Sequence, residues 1–165
     1  MFIKTESTDF GLITMTSDGN AITNLTWVEE KSTPDHSNAI LDQAFAEIKE
    51  YAMGARKTFT VPVSLESCSQ KLKRWLEVLR SVPYGTTVSY AELAKMAKQP
   101  KAAKAARAAG SACARNPIPI IYPCHRVTRS GGKLGNFGAI RNLSPKDQKN
   151  LNIKAKLIAH EHTHL

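Results

Sequence analysis

The sequence has few cysteines, no long apolar run and no secretion signal. Its three cysteines, Cys68, Cys113 and Cys124, are an odd number without C-x-x-C spacing, which argues against a disulfide framework and a four-ligand zinc site. No segment approaches the roughly 18 consecutive apolar residues that span a bilayer. Residues 1–6 lack the basic start and apolar middle of a signal peptide. We therefore expect an unsecreted protein without membrane attachment, in a reducing cytoplasm or nucleus.

Metal ligands are also sparse. Residues 1–65 contain no Cys/His set with metal-ligand spacing, and the only dense group is His160, His162 and His164 around Glu161. For the last two histidines a frayed, solvated C-terminal tail is the favoured interpretation over a metal site. We expect neither a metal nor a cofactor.

Negative charge is scarce in the second part of the chain. Residues 1–65 carry 5 Lys/Arg and 9 Asp/Glu, a net charge of −4, whereas residues 66–165 carry 18 and 5, a net charge of +13. A solvated basic face and a polyanion-binding surface both fit this asymmetry. Neutralised phosphates release counterions, so the second possibility points to nucleic acid.

Residues 1–65 read as a small α/β unit. Two apolar runs, 10–16 and 21–28, flank an Asp-Gly turn and predict a β-hairpin. Apolar residues then recur at helical spacing from 38 to 53, with Gly54 as a stop, and alternate over 59–63 as a final strand. Polar residues and the change of charge sign place the domain junction near 64–69.

Residues 66–165 read as mostly helical. An apolar stripe over 72–79 ends before Pro83, and Ser89 with Glu92 forms a capping box that opens the next helix. A short turn at Gln99–Pro100 leads to an alanine-rich, basic helix over 101–114. Two helices joined in this way are typical of a DNA-binding helix-turn-helix, although an Ala/Lys helix can also be a stable surface helix.

The pentapeptide Pro-Cys-His-Arg-Val places the thiol of Cys124 beside the imidazole of His125. A free thiol is a weak nucleophile at neutral pH and needs a base. The apolar run 116–122 predicts that Cys124 ends a buried extended segment, where neighbouring side chains point apart, so a water would have to bridge the pair. An inert buried thiol is the alternative, and we assign Cys68 and Cys113 to packing.

Taken together, these motifs resemble the DNA-binding and active-site domain of the O6-alkylguanine-DNA alkyltransferases over about residues 68–140. The matching stretches are Pro83-Tyr84-Gly85, Val88-Ser89-Tyr90, Ala105-Ala106-Arg107-Ala108, Asn116-Pro117-Ile118-Pro119-Ile120, the cysteine pentapeptide and Gly135-Asn136-Phe137-Gly138. Residues 158–161 resemble the family's closing segment. The resemblance implies an α/β protein, in which a small ribonuclease H-like α/β domain (1–65) precedes a mostly helical, winged-helix-like domain with a helix-turn-helix (66–165).

The activity implied by this resemblance is direct-reversal DNA repair by a methylated-DNA–protein-cysteine S-methyltransferase. The alkyl group of O6-alkylguanine, with O4-alkylthymine as a further substrate, would pass irreversibly and stoichiometrically to Cys124. The damaged nucleotide would first be flipped out of duplex DNA. The partner would be duplex DNA carrying the lesion, bound by a monomer.

The resemblance also implies residue roles. Cys124 would be the nucleophile and His125 its base, Glu161 would hold the other imidazole nitrogen as in a serine-protease triad, and Tyr90 would protonate the leaving guanine ring. Arg107 would fill the vacated base stack, with Lys104 as a competitor because the spacing from Tyr90 exceeds the family's by about three residues. The remaining DNA-contact candidates are Ser89, Ala106 and Arg115. Asn116 would brace the active-site turn, and the pocket and its frame would comprise Pro123, Arg126, Val127, Phe137 and Gly138.

Three features depart from the family's pattern. Phe137 stands where tyrosine is usual, and Ala139-Ile140 where a Gly-Gly pair is usual, so both would narrow the accepted alkyl groups. About ten extra residues, around 142–152, precede the closing helix.

Two other functions compete with repair. A lesion sensor would bind without transferring, but proteins of that kind lack the cysteine, and a cysteine hydrolase would leave the basic half unexplained.

Overall fold

The computed structural model of the chain describes residues 1–99 and 101–165, and its first part is built on a three-stranded antiparallel sheet. The strands, in spatial order, are β1 (Phe2–Thr8), β2 (Gly11–Ser17) and β3 (Ile22–Trp27). The predicted hairpin is β2–β3, and Gly19 at its turn has a φ of 106°, which an Asp-Gly turn supplies easily. The sequence pattern does not predict β1, because Thr5 alone among its seven residues is buried.

Helix α1 (Ala39–Ala52) covers one face of this sheet, as the apolar spacing predicts. The Asn38 side chain accepts a hydrogen bond from the N–H of Leu41 and caps the helix. Gly54, with a φ of 77°, follows its end.

The predicted strand over residues 59–63 is wrong. Val63 makes only an isolated parallel bridge to Ile22, through hydrogen bonds from Ile22 N to Pro62 O and from Ser64 N to Ile22 O. Pro62 has no N–H to continue a ladder, so the alternating apolar side chains line an irregular segment instead. The predicted junction at 64–69 lies in the same irregular connection between α1 and the next helix.

The second part is mostly helical, and its predicted helices are confirmed. They are α2 (Gln70–Arg80), α3 (Tyr90–Met96) and α4 (Ala102–Ala114), followed by the closing helix α5 (Gln148–Thr163). The expectation that the stretch 142–152 precedes the closing helix is wrong for its last residues, because α5 begins at Gln148. The capping box of α3 is present, with Ser89 and Glu92 exchanging hydrogen bonds. Two-residue strands β4 (Val88–Ser89) and β5 (Val127–Thr128) pair in parallel and tie α3 to the cysteine segment.

The helix pair α3–α4 packs together as a helix-turn-helix would. Lys98 has a φ of 57° in the connection, and Pro100 of the predicted turn lies outside the described residues. Helix α5 continues through Thr163, so the expected frayed tail is wrong for His162, and His164 stacks on His160 with ring centroids 4.3 Å apart. Across the described part of the chain, the helices are all too short or too polar to cross a membrane.

The two parts share one core, and backbone hydrogen bonds cross between them. On the outer edge of β3, Leu25 N donates to Pro117 O (2.9 Å) and Trp27 N donates to Ala139 O (3.0 Å). The predicted combination of an N-terminal α/β unit with a mostly helical unit is confirmed, and the segments that frame Cys124 are fastened to the sheet.

Candidate active site

Cys124 begins a single 3₁₀ turn (Cys124–Arg126) and is 2% exposed. The expectation that it ends an extended segment is wrong, because the run before it folds into a buried turn in which Tyr122 N bonds to Ile118 O. Ile120 in that turn has a φ of 74°. A β-branched residue in this region is strained by about 1–3 kcal/mol, so surrounding contacts must hold the turn.

Asn116 supplies those contacts. Its Nδ2 donates to Tyr122 O at 2.7 Å, its Oδ1 accepts from Ile118 N at 3.0 Å, and the side chain is buried. Each bond satisfies a buried backbone group that would otherwise be costly. Asn116 thus lies where the sequence predicted a brace for the cysteine turn.

His125 is completely buried beside the thiol residue and contacts Glu161 on α5. Its Nε2 lies 2.6 Å from Glu161 Oε2. Carboxylate oxygens accept hydrogen bonds, so Nε2 carries the proton and Nδ1 keeps a free lone pair. Within the described residues Nδ1 has no hydrogen-bond partner. Burial lowers the pKa of His125 more than Glu161 raises it, which keeps the imidazole neutral.

Glu161 collects five hydrogen-bond contacts although it is 2% exposed. Besides His125, the donors are Arg126 Nε (2.8 Å) and Nη2 (3.0 Å), Gly85 N (3.1 Å) and Tyr51 Oη (2.7 Å). Burial alone would raise the pKa of this carboxyl, but His125 and Arg126 hold it well below its ordinary value. Glu161 is therefore a fixed anion, and the extra stretch before α5 does not displace it from His125.

The Cys124 thiol is protonated at rest. Burial raises its pKa, and the side chains of Asn116, Lys154 and Arg141 offset only part of that rise. A neutral thiol with a neutral imidazole next to it in sequence can form a thiolate and imidazolium when a proton passes between them.

A cavity of about 730 Å³ opens between α3, α4 and the loop that follows β5. Its lining residues are Tyr90, Ala106, Arg107, Gly110, Ser111, Arg129, Lys133, Leu134, Gly135, Asn136, Lys146, Gln148 and Leu151. Four cations surround it, and Lys146 among them comes from the extra stretch before α5. A cavity with a cationic rim suits a ligand that carries phosphate.

The predicted DNA-contact residues divide at this cavity. Ala106 and Arg107 line it, whereas Lys104 on α4 and Arg115 at the C-cap of that helix are exposed and are not among its lining residues. Ser89 caps α3 and is partly buried. Arg107, which lines the cavity, therefore stays the preferred candidate over Lys104.

Tyr90 projects from the start of α3 into the cavity wall. Its hydroxyl accepts a hydrogen bond from Asn136 N at 3.2 Å, and burial raises its pKa, so it stays a phenol. A Cβ on Gly135 would lie 2.5 Å from that hydroxyl, and Gly135 has a φ of 81°. Glycine is needed there because both the backbone conformation and the close approach exclude a side chain.

The loop residues near the cavity lie at two depths, and the expected pocket residues Val127, Phe137 and Gly138 are not among those that line it. Leu134, Gly135 and Asn136 form the wall, while Phe137 is fully buried and meets Trp27 edge to face at 5.8 Å. The remaining pocket-frame candidates, Pro123, Arg126 and Val127, are buried, and Gly138 packs on the carbonyl of Ala114. Ala139 is likewise buried, with its carbonyl bonded to β3.

Lys154 is a functional candidate that the sequence reasoning missed. Its side chain is fully buried, and Nζ donates to the carbonyl oxygens of Val127, Leu134 and Asn136, the last at 2.9 Å. Burial lowers its pKa to about 8. Lys154 lies seven residues before Glu161, so both side chains are on the same face of the helix. That spacing is the one sequence feature that could have indicated that Lys154 faces the site.

The part of the chain that the structure describes holds no cluster of three or more His, Cys, Asp or Glu able to bind a metal. Cys113 is buried on α4 and Cys68 is partly buried.

Comparison with known proteins gives one consistent result. Residues 1–65 match the family model "6-O-methylguanine DNA methyltransferase, ribonuclease-like domain", and residues 71–163 match "6-O-methylguanine DNA methyltransferase, DNA binding domain". A methylated-DNA–protein-cysteine methyltransferase of Mycobacterium tuberculosis is 34% identical over 140 residues, 82% of each chain. The constitutive enzyme of that name from Bacillus subtilis is 33% identical over 145 residues, 82% of this chain and 86% of its own.

A solved structure agrees with these relatives. The crystal structure of Mycobacterium tuberculosis OGT in complex with DNA has a TM-score of 0.81 and 31% identity, covering 99% of this chain and 94% of its own.

Proposed function

This chain belongs to the 6-O-methylguanine DNA methyltransferase family, a DNA-repair family of methylated-DNA–protein-cysteine methyltransferases, and on that premise we propose that it removes alkyl groups from O6-alkylguanine by a single irreversible transfer to Cys124. O4-alkylthymine is a second substrate in this proposal. One observation carries it: Cys124 is buried and is followed in sequence by His125, whose Nε2 lies 2.6 Å from the Glu161 carboxylate.

The proton path begins at the thiol. The Glu161 carboxylate keeps the proton of His125 on Nε2, so Nδ1 is the basic nitrogen, and it has no other partner among the described residues. A water between Sγ and Nδ1 would relay the thiol proton to the imidazole. Because Glu161 and Arg126 are fixed, the resulting imidazolium stays paired with an anion.

The transfer itself needs one bond to form and one to break. The thiolate sulfur attacks the alkyl carbon, the bond from that carbon to O6 breaks, and the electron pair returns to the guanine. Tyr90, held as a phenol at the cavity wall, donates a proton to the departing ring. The thioether is stable, so each molecule acts once.

The lesion must leave the duplex to reach the buried sulfur. The cavity of about 730 Å³ between α4 and the loop after β5 would hold the flipped nucleotide, and its wall includes Leu134 and Asn136, whose carbonyls bond to Lys154. Arg107 on the cavity edge would fill the vacated stack, and Arg129, Lys133 and Lys146 would contact phosphates. A DNA substrate places this work in the cytoplasm or nucleus, and we propose that the protein acts as a monomer.

Intact mass measurement tests the proposal. After incubation with duplex DNA containing O6-methylguanine, one methyl group should replace the thiol hydrogen, on the peptide that contains Cys124. Cys124→Ser should gain nothing, whereas Cys113→Ala, which removes a second buried thiol, should react normally. Selective lesion binding without a mass gain would identify a sensor instead, and repeated turnover of a small ester would identify a hydrolase.

A further inference from the structure

Tyr51, a residue of the N-terminal unit, bonds directly to Glu161 in the candidate active site. This residue is the second last of α1, fully buried, and its hydroxyl lies 2.7 Å from Glu161 Oε2. The same oxygen lies 2.6 Å from His125 Nε2. A phenol from the first unit and the imidazole from the second thus share one carboxylate oxygen.

The direction of this bond is settled by chemistry. A carboxylate oxygen can only accept, so the phenol donates. Burial, and the negative charge of Glu161, raise the pKa of Tyr51, so the hydroxyl remains a donor throughout the working pH range. Tyr51 therefore withdraws electron density from the oxygen that stabilises protonated His125.

The ring of Tyr51 is held on several sides. Phe10 and Phe59 of the first unit have centroids 5.6 Å away, and His160 of α5 lies at 5.0 Å with its Nε2 2.7 Å from the backbone oxygen of Tyr51. Tyr84 meets the ring edge to face at 6.1 Å. Packing from both units thus aims the hydroxyl at Glu161.

We propose that Tyr51 is a positioning residue that sets the basicity of His125 through Glu161, and that residues 1–65 thereby take part in controlling thiolate formation at Cys124. The expected effect on alkyl transfer rests on the proposed function. The effect on His125 itself follows from the competition between Tyr51 and His125 for the same oxygen of Glu161. The ionisable or charged groups that act on His125 or Glu161 are Tyr51, Tyr84, Arg126 and Lys154, and His160 packs on the ring of Tyr51.

Removing the phenol should change the pKa of His125 in a defined direction. In Tyr51→Phe the oxygen Oε2 keeps His125 and the Nη2 of Arg126 as donors, and both bonds strengthen. Protonated His125 is then better stabilised, so its pKa rises. Because His125 must be neutral to accept the thiol proton, the acid limb of alkyl transfer moves to higher pH, by about 0.5–1 pH unit.

Proton NMR of the His125 Nε2–H tests the competition without any substrate. The resonance should move downfield in Tyr51→Phe, because the bond to Glu161 becomes stronger. Site-specific 3-fluorotyrosine at position 51, a stronger donor that keeps the ring, should move it upfield. Unchanged resonances in both proteins would overturn the proposal.

Tyr84→Phe is the matched control. The Tyr84 hydroxyl is buried in the same cluster and bonds to no group among the described residues. Removing it should leave the His125 resonance in place; a shift as large as that of Tyr51→Phe would show a general packing effect and contradict the role of Tyr51.

The pH dependence of benzyl transfer from free O6-benzylguanine supplies the functional readout. A wild-type protein without transfer would refute the proposed function, while the NMR comparison would still decide the role of Tyr51. A wild-type protein with transfer, and the same acid limb in Tyr51→Phe, would refute the role of Tyr51 alone.

Discussion

The imidazole of His125 and the carboxylate of Glu161 lie 2.6 Å apart, on a 3₁₀ turn and on the closing helix, and water reaches neither of them appreciably. Their distance in sequence is 36 residues, which includes the extra residues around 142–152. The hydrogen bond between His125 and Glu161 is kept despite these extra residues, because Asn150 and Lys154 also lie on the buried face of α5. Both side chains bond to the loop backbone and fix the position of the helix.

Glu161→Gln should lower the free energy of unfolding by about 3–5 kcal/mol, because it leaves Arg126 as a buried charge without its anion. The folded pKa of Glu161 is depressed, so its contribution is present above the unfolded value near pH 4 and is lost as pH falls through the folded value. Urea unfolding from pH 7 to pH 3 should show a shallower decline in the variant. Glu50→Gln, at a surface pair with Arg56, should cost about 1 kcal/mol or less; equal costs would refute the assignment.

Asn116→Ala should destabilise the protein by about 2–4 kcal/mol, because it leaves Tyr122 O and Ile118 N buried without partners beside the strained Ile120. Asn116→Asp keeps the acceptor but loses the donor, so its cost should be intermediate for the turn. Alkyl transfer should fall in the same order, measured by single-turnover kinetics. A variant as stable and active as the wild type would show that the turn needs no brace.

Arg107→Ala should slow repair of a paired lesion far more than benzyl transfer from the free base, because only the duplex requires a side chain to fill the vacated stack. Lys104→Ala is the matched comparison, since Lys104 is exposed on the same helix but is not among the residues that line the cavity. Single-turnover rates on both substrates decide between them. Equal losses on both substrates in Arg107→Ala would reject the role, and a selective loss in Lys104→Ala would transfer it to that residue.

Lys146→Gln should weaken duplex binding uniformly across sequences and reduce the slope of log affinity against log salt by about 0.9, the loss of one phosphate contact. Fluorescence anisotropy over a salt series measures the slope. Lys49→Gln, which changes the same charge on α1, should leave it unaltered. An undiminished slope in Lys146→Gln would remove the extra stretch from the DNA-contact surface.

Lys154→Met should change how stability depends on pH. The folded pKa of Lys154 is about 8, below the unfolded value of about 10.4, so its cost to the fold is largest at neutral pH and disappears as pH rises between the two. The wild type should therefore gain about 2–3 kcal/mol relative to the variant from pH 7 to pH 10.5 in urea unfolding. Lys156→Met, on the exposed side of α5, should give a constant difference. A constant difference for Lys154→Met as well would show that its ammonium group is not desolvated.

The sequence predictions that succeeded depend on residues close together in the chain. The capping box of Ser89 and Glu92 and the apolar stripe of α2 specify helices from neighbouring residues, and both are present. The failures have local explanations too. Pro62 prevents the strand suggested by alternation around it, and the bonds of Asn116 fold the run before Cys124 into a turn that periodicity describes as extended.

Some residues of the candidate site could be predicted from the family resemblance, and others could not be predicted from the sequence. Glu161 was proposed as a partner of His125 only because its surrounding segment resembled a family pattern. Tyr51 approaches Glu161 across 110 residues, and no periodicity encodes that contact, because it depends on how two separately patterned units dock. Lys154 was hidden for a similar reason: a lysine in a helix is usually solvated, and its partners are backbone carbonyls that have no sequence signature.

The bonds from β3 to Pro117 and Ala139 also bear on how the protein is made. During synthesis β3 leaves the ribosome before residues 117 and 139 do. The backbone N–H groups of Leu25 and Trp27 on its outer edge therefore lack these partners until the rest of the chain is made. An open strand edge is a template for pairing between nascent chains. Residues 1–65 have a net charge of −4, and mutual repulsion between such units opposes that pairing until the basic half arrives to close the edge.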